Sequence, residues 1–283
     1  MNLHEAYEYG KETLLSAGID DAATDAWYLL ENATGVSRQK YFLNPQTEIG
    51  REQEEFYLLS IEKRATRIPL QHITGKQEFM GFSFRVNEHV LIPRQDTESL
   101  VESVLDVLRP GMEILDMCTG AGCILISLLK LTEGISGTGV DISKEALEVA
   151  KTNAENLNVD ARFVQSDLFE NIAGSYDVII SNPPYIRTEV IKGLQDEVRL
   201  YDPFIALDGK EDGLYFYRKI ITDCQSFLKP GGRVYFEIGH DQGDDVKALM
   251  AEAGFTGVTV KKDLAGLDRV VFGVYNISEG IRE

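Results

Sequence analysis

Apolar positions near the start of the chain follow a helical repeat. Leu3, Ala6, Tyr7, Leu14 and Leu15 share one face of a 3.6-residue period, and Ala23, Ala26, Trp27 and Leu30 share another. Asp20 or Asp21 stands where an N-cap would begin the second helix, and Gly35 lies just past its end. A third stretch, about Arg51 to Arg67, carries Leu58, Ile61 and Ala65 and is followed by Pro69. The spacing predicts a small helical domain over residues 1–75. The pattern then changes: Phe79, Phe82, Phe84, Val86, Val90, Leu91 and Ile92 surround Gly81 and Asn87-Glu88, which predicts a β-hairpin linker over residues 76–93. Asp96 to Leu108 reads as a helix with an acidic first turn.

From Glu113 onward, strand-like and helix-like runs alternate. The strand-like runs are Glu113–Met117, Gly137–Val140, Arg162–Gln165, Tyr176–Ser181, Arg233–Ile238, Gly257–Lys261 and Arg269–Val274, with helical runs at 122–131, 144–157, 214–228 and 242–253. This alternation predicts one α/β domain over residues 94–283, with a mostly parallel sheet and helices on both faces. Lys262–Asp268 is too short for a parallel crossover, so the last two strands are expected to be antiparallel.

Composition narrows the chemistry. Hydrophobic residues make up 43% of 283, enough for a sizeable core. No run of about 18 apolar residues occurs, so no membrane span is expected. The opening MNLHEAYEYGKETLL has no signal-peptide pattern, and a cytoplasmic protein is expected. Cys118, Cys123 and Cys224 form no CxxC pair, and His4, His72, His89 and His240 are scattered, so neither a disulfide framework nor a metal site is expected. The formal net charge of −18 disfavours a nucleic acid held through its phosphates and suits basic protein partners.

Three short motifs follow successive predicted strands. The first, Asp116-Met117-Cys118-Thr119-Gly120-Ala121-Gly122, opens a helix; its small residues allow a ligand close to the backbone, although a tight turn would use the same residues. The second, Gly139-Val140-Asp141-Ile142-Ser143, ends the next strand and places Asp141 19 residues after Gly122. An acid there can accept from both hydroxyls of a ribose, while Ser143 serves as a helix cap. The third is Ser166-Asp167-Leu168, where Asp167 could accept from an adenine amino group and Leu168 could pack on the ring. Loop and acid together point to a nucleoside-containing cofactor without separating a nicotinamide dinucleotide from S-adenosylmethionine.

The fourth motif, Asn182-Pro183-Pro184-Tyr185, directly follows a predicted parallel strand. Its prolines offer carbonyl acceptors and no N–H donors, Asn182 adds a side-chain carbonyl, and Tyr185 adds an aromatic face. Such a site accepts two hydrogen bonds from one planar NH2 group, as an amide or an adenine amino group requires. No side chain of this motif titrates near neutrality, so Asn182 and Pro183 are expected to act by aligning a weak nitrogen nucleophile.

Taken with Ile92-Pro93-Arg94-Gln95-Asp96-Thr97-Glu98, Ala206–Leu214 and Lys262-Asp263-Leu264-Ala265-Gly266-Leu267-Asp268-Arg269, these motifs make the chain resemble the bacterial release factor glutamine methyltransferases. The resemblance covers the whole chain and is most specific from about Pro69 onward. It implies a seven-stranded Rossmann-like class I methyltransferase sheet, an N-terminal helical bundle that docks substrate, and a joining hairpin. It implies S-adenosylmethionine as cofactor, lined by Cys118, Thr119, Gly120, Ala121, Gly122, Asp141, Leu168 and Asn182, with Arg94 near the methionine end. It also implies that Asn182, Pro183, Pro184 and Tyr185 hold the glutamine of the Gly-Gly-Gln tip of class 1 release factors. Two positions depart from the family pattern. Cys118 replaces the usual first loop glycine, which narrows the approach unless its φ is negative, and Gln95 replaces a proline. Cys118 is shared with the related ribosomal protein L3 glutamine methyltransferases, while Asp96-Thr97-Glu98 and the DLAGLDR run favour the release-factor branch. An adenine-N6 DNA methyltransferase would share Asn182–Tyr185 but would need a basic cleft. A non-catalytic relative would have no use for the intact motif.

Overall fold

The computed structural model describes residues 1–276. Residues Met1–Lys76 and Gln195–Tyr201 form one unit, and Gln77–Leu194 with the chain from Asp202 form the other.

The first unit contains helices α1 (Leu3–Ser16), α2 (Ala22–Thr34), α3 (Arg38–Leu43), α4 (Arg51–Ala65) and α5 (Leu70–Thr74). A reciprocal capping box fixes the start of α1: the Asn2 side chain accepts from the Glu5 N–H, and the Glu5 carboxylate accepts from the Asn2 N–H. Leu3, Ala6 and Leu14 enter the core with Trp27, Leu30, Tyr57 and Ile61, whereas Leu15 is 66% exposed. Leu15 lies about 100° around the helix from Leu14, so it cannot share the buried stripe. Gly35 ends α2 in the left-handed conformation, as expected, and Asp21 precedes it without a side-chain capping bond. Helices α3 and α5 are too short to show a period. Arg64 is buried against Asp25 at 2.7 Å and also reaches Glu197 at 3.2 Å. Arg67 pairs with Glu197, and the Tyr201 hydroxyl donates to the Thr66 carbonyl. These bonds seat residues 195–201 on the helical unit, although the sequence reading grouped them with the α/β domain.

The second unit opens with hairpin strands β1 (Lys76–Phe79) and β2 (Phe82–Arg85), with Lys76 itself in the first unit. A 3-10 turn at Gln95–Thr97 leads into α6 (Glu98–Leu105). Then follow β3 (Glu113–Met117), α7 (Cys123–Leu131), β4 (Ser136–Asp141), α8 (Lys144–Asn156), β5 (Arg162–Gln165) and β6 (Tyr176–Ser181). Short helices α9 (Thr188–Ile191), α10 (Asp196–Tyr201, in the first unit) and α11 (Phe204–Leu207) come next. The chain continues through α12 (Tyr215–Asp223), β7 (Leu228–Glu237), α13 (Gly243–Glu252), β8 (Phe255–Lys262) and β9 (Asp268–Tyr275).

Strands β3 to β9 form a seven-stranded sheet in the order β5-β4-β3-β6-β7-β9-β8. All neighbours are parallel except β9, which runs antiparallel to both β7 and β8. Strand β7 begins at Leu228, before the predicted Arg233; Pro230-Gly231-Gly232 resembles a turn, but pairing with β6 continues across a register shift. Alternate residues supply the two cores. Leu115, Ile179 and Phe236 face a layer with Tyr217, Ile220 and Met250, whereas Ile114, Ile180 and Tyr235 face a layer with Val101, Leu125 and Leu128. Among the described residues, no helix is long and apolar enough to cross a membrane, and no group of three or more His, Cys, Asp or Glu could hold a metal ion.

Candidate active site

Strand order reverses at β3 and β6, and open α/β sheets bind ligands at the carboxyl ends of strands at such a point. An open cleft of about 1040 Å³, counting the solvent space at its mouth, lies there. Four consecutive parallel strands deliver its walls: the Cys118 loop after β3, Asp141 at the end of β4, Ser166-Asp167-Leu168 after β5, and Asn182 with Pro184 after β6.

Hydrogen bonds inside the second unit fix the first loop. The Thr119 N–H donates to the Val140 carbonyl at 2.9 Å, and the Thr119 hydroxyl donates to the Asp116 carboxylate at 2.5 Å. Asp141 accepts the Gly120 N–H on one oxygen and the Ser143 N–H on the other, each at 2.9 Å. It therefore clamps the loop to β4 while lining the cleft, a second role absent from the sequence reading. Burial pushes its carboxyl up, and these N–H donors pull it down. Gly122 has φ +78, and a Cβ there would press on Ile126 and Ala150. Gly120 differs: it lines the cleft, and a Cβ on it would meet no protein atom within 4 Å. The loop thus presents bare backbone to the ligand space.

Cys118 has φ +61, so the condition that would have spared the approach is not met. Burial, aided by the charge of Asp141, pushes its thiol far above the ordinary range. Cys118 is therefore a neutral wall of the cleft. Leu168 also has positive φ, +48, and lines the cleft.

Asn182 donates through Nδ2 to the Thr97 hydroxyl oxygen at 3.4 Å, which leaves its carbonyl oxygen to accept from a ligand. Pro184 lines the cleft, Pro183 is buried, and Tyr185 packs partly against the core. Gly122, Pro183 and Tyr185 are not among the cleft-lining residues. The Ala206–Leu214 segment supports the motif from behind. The Ile186 N–H donates to the Leu207 carbonyl, the Gly209 N–H donates to the Ile186 carbonyl, and Gln242 Nε2 donates to the Tyr185 carbonyl. A Cβ on Gly209 would lie 2.7 Å from the Tyr185 backbone, which explains the glycine.

Arg94 lines the cleft and pairs at 2.6 Å with Asp202, whose side chain is fully buried. Thr97, Pro203, Ile205, Ala206 and Phe216 also line the cleft. Thr97 and Ala206 are marked in the sequence only by their places in the Ile92–Glu98 and Ala206–Leu214 runs, whereas Pro203, Ile205 and Phe216 lie outside every motif and were not singled out.

Comparisons with known proteins agree with this architecture. The family model described as the PrmC N-terminal domain matches residues 5–75, and that of the methyltransferase small domain matches residues 95–196. A methyltransferase from Pyrococcus furiosus shares the fold, with a TM-score of 0.55 at 20% identity over 76% of this chain and 100% of that one. A release factor glutamine methyltransferase from Agrobacterium fabrum is 40% identical over 92% of this chain and 93% of its own. One from Caulobacter vibrioides is 41% identical over 98% of this chain and 97% of its own. At that identity over nearly the full length of both proteins, the chain belongs to the release factor glutamine methyltransferases.

Proposed function

We propose that the cleft binds S-adenosylmethionine beside a release-factor glutamine, and that the protein methylates the N5 side-chain nitrogen of the glutamine in the Gly-Gly-Gln tip. The observation that carries this reading is Asn182, lining the same cleft as Gly120 and Asp141 with its carbonyl left to accept. The bare Gly120 backbone and the Asp141 carboxylate fit a nucleoside-containing cofactor. Asp141 would take the ribose, Asp167 and Leu168 the adenine, residues 118–122 the middle of the molecule, and Arg94 its methionine end. When bound, S-adenosylmethionine supplies a methyl group on a positively charged sulfur.

The chain's task is to aim a poor nucleophile. An amide nitrogen is weak because its lone pair is conjugated with the carbonyl. The carbonyls of Asn182 and Pro183 would each accept one N–H of the glutamine NH2 and fix its plane, which lowers the barrier without a strong base. As the nitrogen gains positive charge its protons grow more acidic, and the same acceptors bind the transition state more tightly than the ground state. Pro183 and Pro184 stiffen this backbone and present no competing donor.

The helical unit would hold the protein substrate. Its residues 1–75 carry seven Lys/Arg and twelve Asp/Glu, a net 7 − 12 = −5, and Phe42 and Leu43 are 70% and 77% exposed. Replacing both with serine is expected to raise KM for the release factor and leave kcat unchanged; an unchanged KM would remove them from the docking surface. The function itself is tested by incubating the protein with labelled cofactor and a class 1 release factor, ribosomal protein L3 or DNA. Mass spectrometry should find the added methyl on the Gly-Gly-Gln glutamine. Methylation of L3 or DNA alone would overturn the assignment.

A further inference from the structure

Glu237 ends β7 next to the strand end that carries Asn182. Ser181 pairs with Phe236, so Glu237 stands one step on, level with Asn182. The residue is 2% exposed, and its Oε2 takes no hydrogen bond among the described residues. Its carboxyl faces the Thr97 hydroxyl and the Asn182 amide, with Arg269 and Asp96 also acting on it. Thr97 in turn accepts from Asn182 Nδ2 at 3.4 Å. Burying an acid in this way is costly, so its place behind a ligand-facing amide calls for a physical account.

Asn182 has one. The oxygen and nitrogen of its amide are nearly the same size, and the group can turn over. Only with the oxygen toward the cleft does it accept an N–H; turned over, it would present donors to a donor. A carboxylate behind it selects the right orientation. Glu237 can accept the Thr97 hydroxyl proton, which commits the Thr97 lone pairs to Asn182 Nδ2, and a chain of such bonds strengthens each member. We propose that Glu237 is a positioning residue which, through Thr97, holds the Asn182 amide with its carbonyl oxygen toward the substrate. This rests on the reading of Asn182 as an acceptor for the glutamine amide. Glu237 itself does not line the cleft.

The test is single-turnover methylation of a class 1 release factor at saturating S-adenosylmethionine, with donor affinity measured by calorimetry. The variants are Glu237→Gln, Thr97→Val, Asn182→Ala and the double Asn182→Ala/Glu237→Gln. Glutamine keeps the size of Glu237 but presents a donor as readily as an acceptor, so the rate should fall about 10–100-fold, the scale seen for partners that orient a site from behind. The loss should lie in kcat, with donor affinity and KM unchanged. Thr97→Val should lose about as much. The double variant should be no slower than Asn182→Ala alone, because no amide remains to orient. A wild-type rate in Glu237→Gln, or losses that multiply in the double variant, would overturn the positioning role while leaving Asn182 as acceptor. A wild-type rate in Asn182→Ala would instead remove the acceptor reading and the proposal with it. If Glu237→Gln does not fold, Thr97→Val, which keeps the carboxylate, carries the same test, and an undiminished rate there overturns the proposal.

Discussion

Two residues of the cleft hold backbone conformations that L side chains avoid, Cys118 at φ +61 and Leu168 at φ +48. Left-handed backbone costs a residue with a Cβ about 1–2 kcal/mol, and such outliers tend to persist where a site requires the shape. At Cys118 the strain is separable from the thiol, which burial keeps protonated. Cys118→Gly should relieve that strain and lose about 0.4–1 kcal/mol to the greater freedom of the unfolded chain. The net expectation is stabilisation by up to about 1.6 kcal/mol, read as a higher urea midpoint. A lower midpoint would mean that the Cys118 side chain contributes packing that outweighs its strain. The sequence shows which residue stands at this position but cannot show its φ, because the conformation is imposed by bonds from Thr119 to Val140 and from Gly120 to Asp141.

Elements differ in how plainly the sequence announces them. β3 and β6 were legible to the residue because both are short apolar runs bounded by turn residues, Pro110-Gly111 before one and Gly174-Ser175 and Asn182-Pro183-Pro184 around the other. α9, α10 and α11, of four to six residues each, are too brief for any period to register. Of the site, the loops after β3, β4 and β6 were legible from residue type, whereas the support behind Asn182–Tyr185 lies in contacts that only folding creates. Gly209 illustrates this: nothing in its neighbours suggests that Tyr185 backbone will pass 2.7 Å from its missing Cβ. Gly209→Ala should displace that backbone, and a shift of about 1 Å at a reacting centre can cost on the order of 10²-fold in rate. Methylation kinetics with a folded variant would check it; a wild-type rate would show that the segment tolerates the shift. In the helical unit, Arg64 lies between Asp25 and Glu197. Arg64→Ala leaves a buried Asp25 uncompensated and should cost about 3–5 kcal/mol in a denaturation experiment. Much smaller losses would imply that Asp25 becomes protonated.

For the whole molecule, pH should act mainly through two buried acids. Burial pushes Asp116 and Glu237 up to about 7, against 3.8 and 4.5 as ordinary values. The folded state therefore holds protons that the unfolded state has released between about pH 4 and 7, and stability falls as pH rises through that window. The slope is at most about 1.4 kcal/mol per pH unit for each group. Carboxyls held low by donors or arginines, such as Asp212 and Asp263, act with opposite sign and only on acidification below their ordinary values. The melting temperature should be higher at pH 6 than at pH 8, and Asp116→Asn should reduce the difference. An unchanged difference would show that Asp116 does not carry this linkage.

The seating of Gln195–Tyr201 on the helical unit also bears on how the chain is made. Arg64 and Glu197 are 133 positions apart, so a ribosome releases most of the sheet's parallel strands before the partner of Arg64 exists. Until then the helices must stand without their final piece, and Arg64 and Arg67 must rely on other bonds, Arg64 on Asp25 among them. A nascent chain halted before residue 195 should therefore show weaker protease resistance in α4 than one halted after residue 201. For the same reason, a fragment cut at the end of α5 is an incomplete version of this unit.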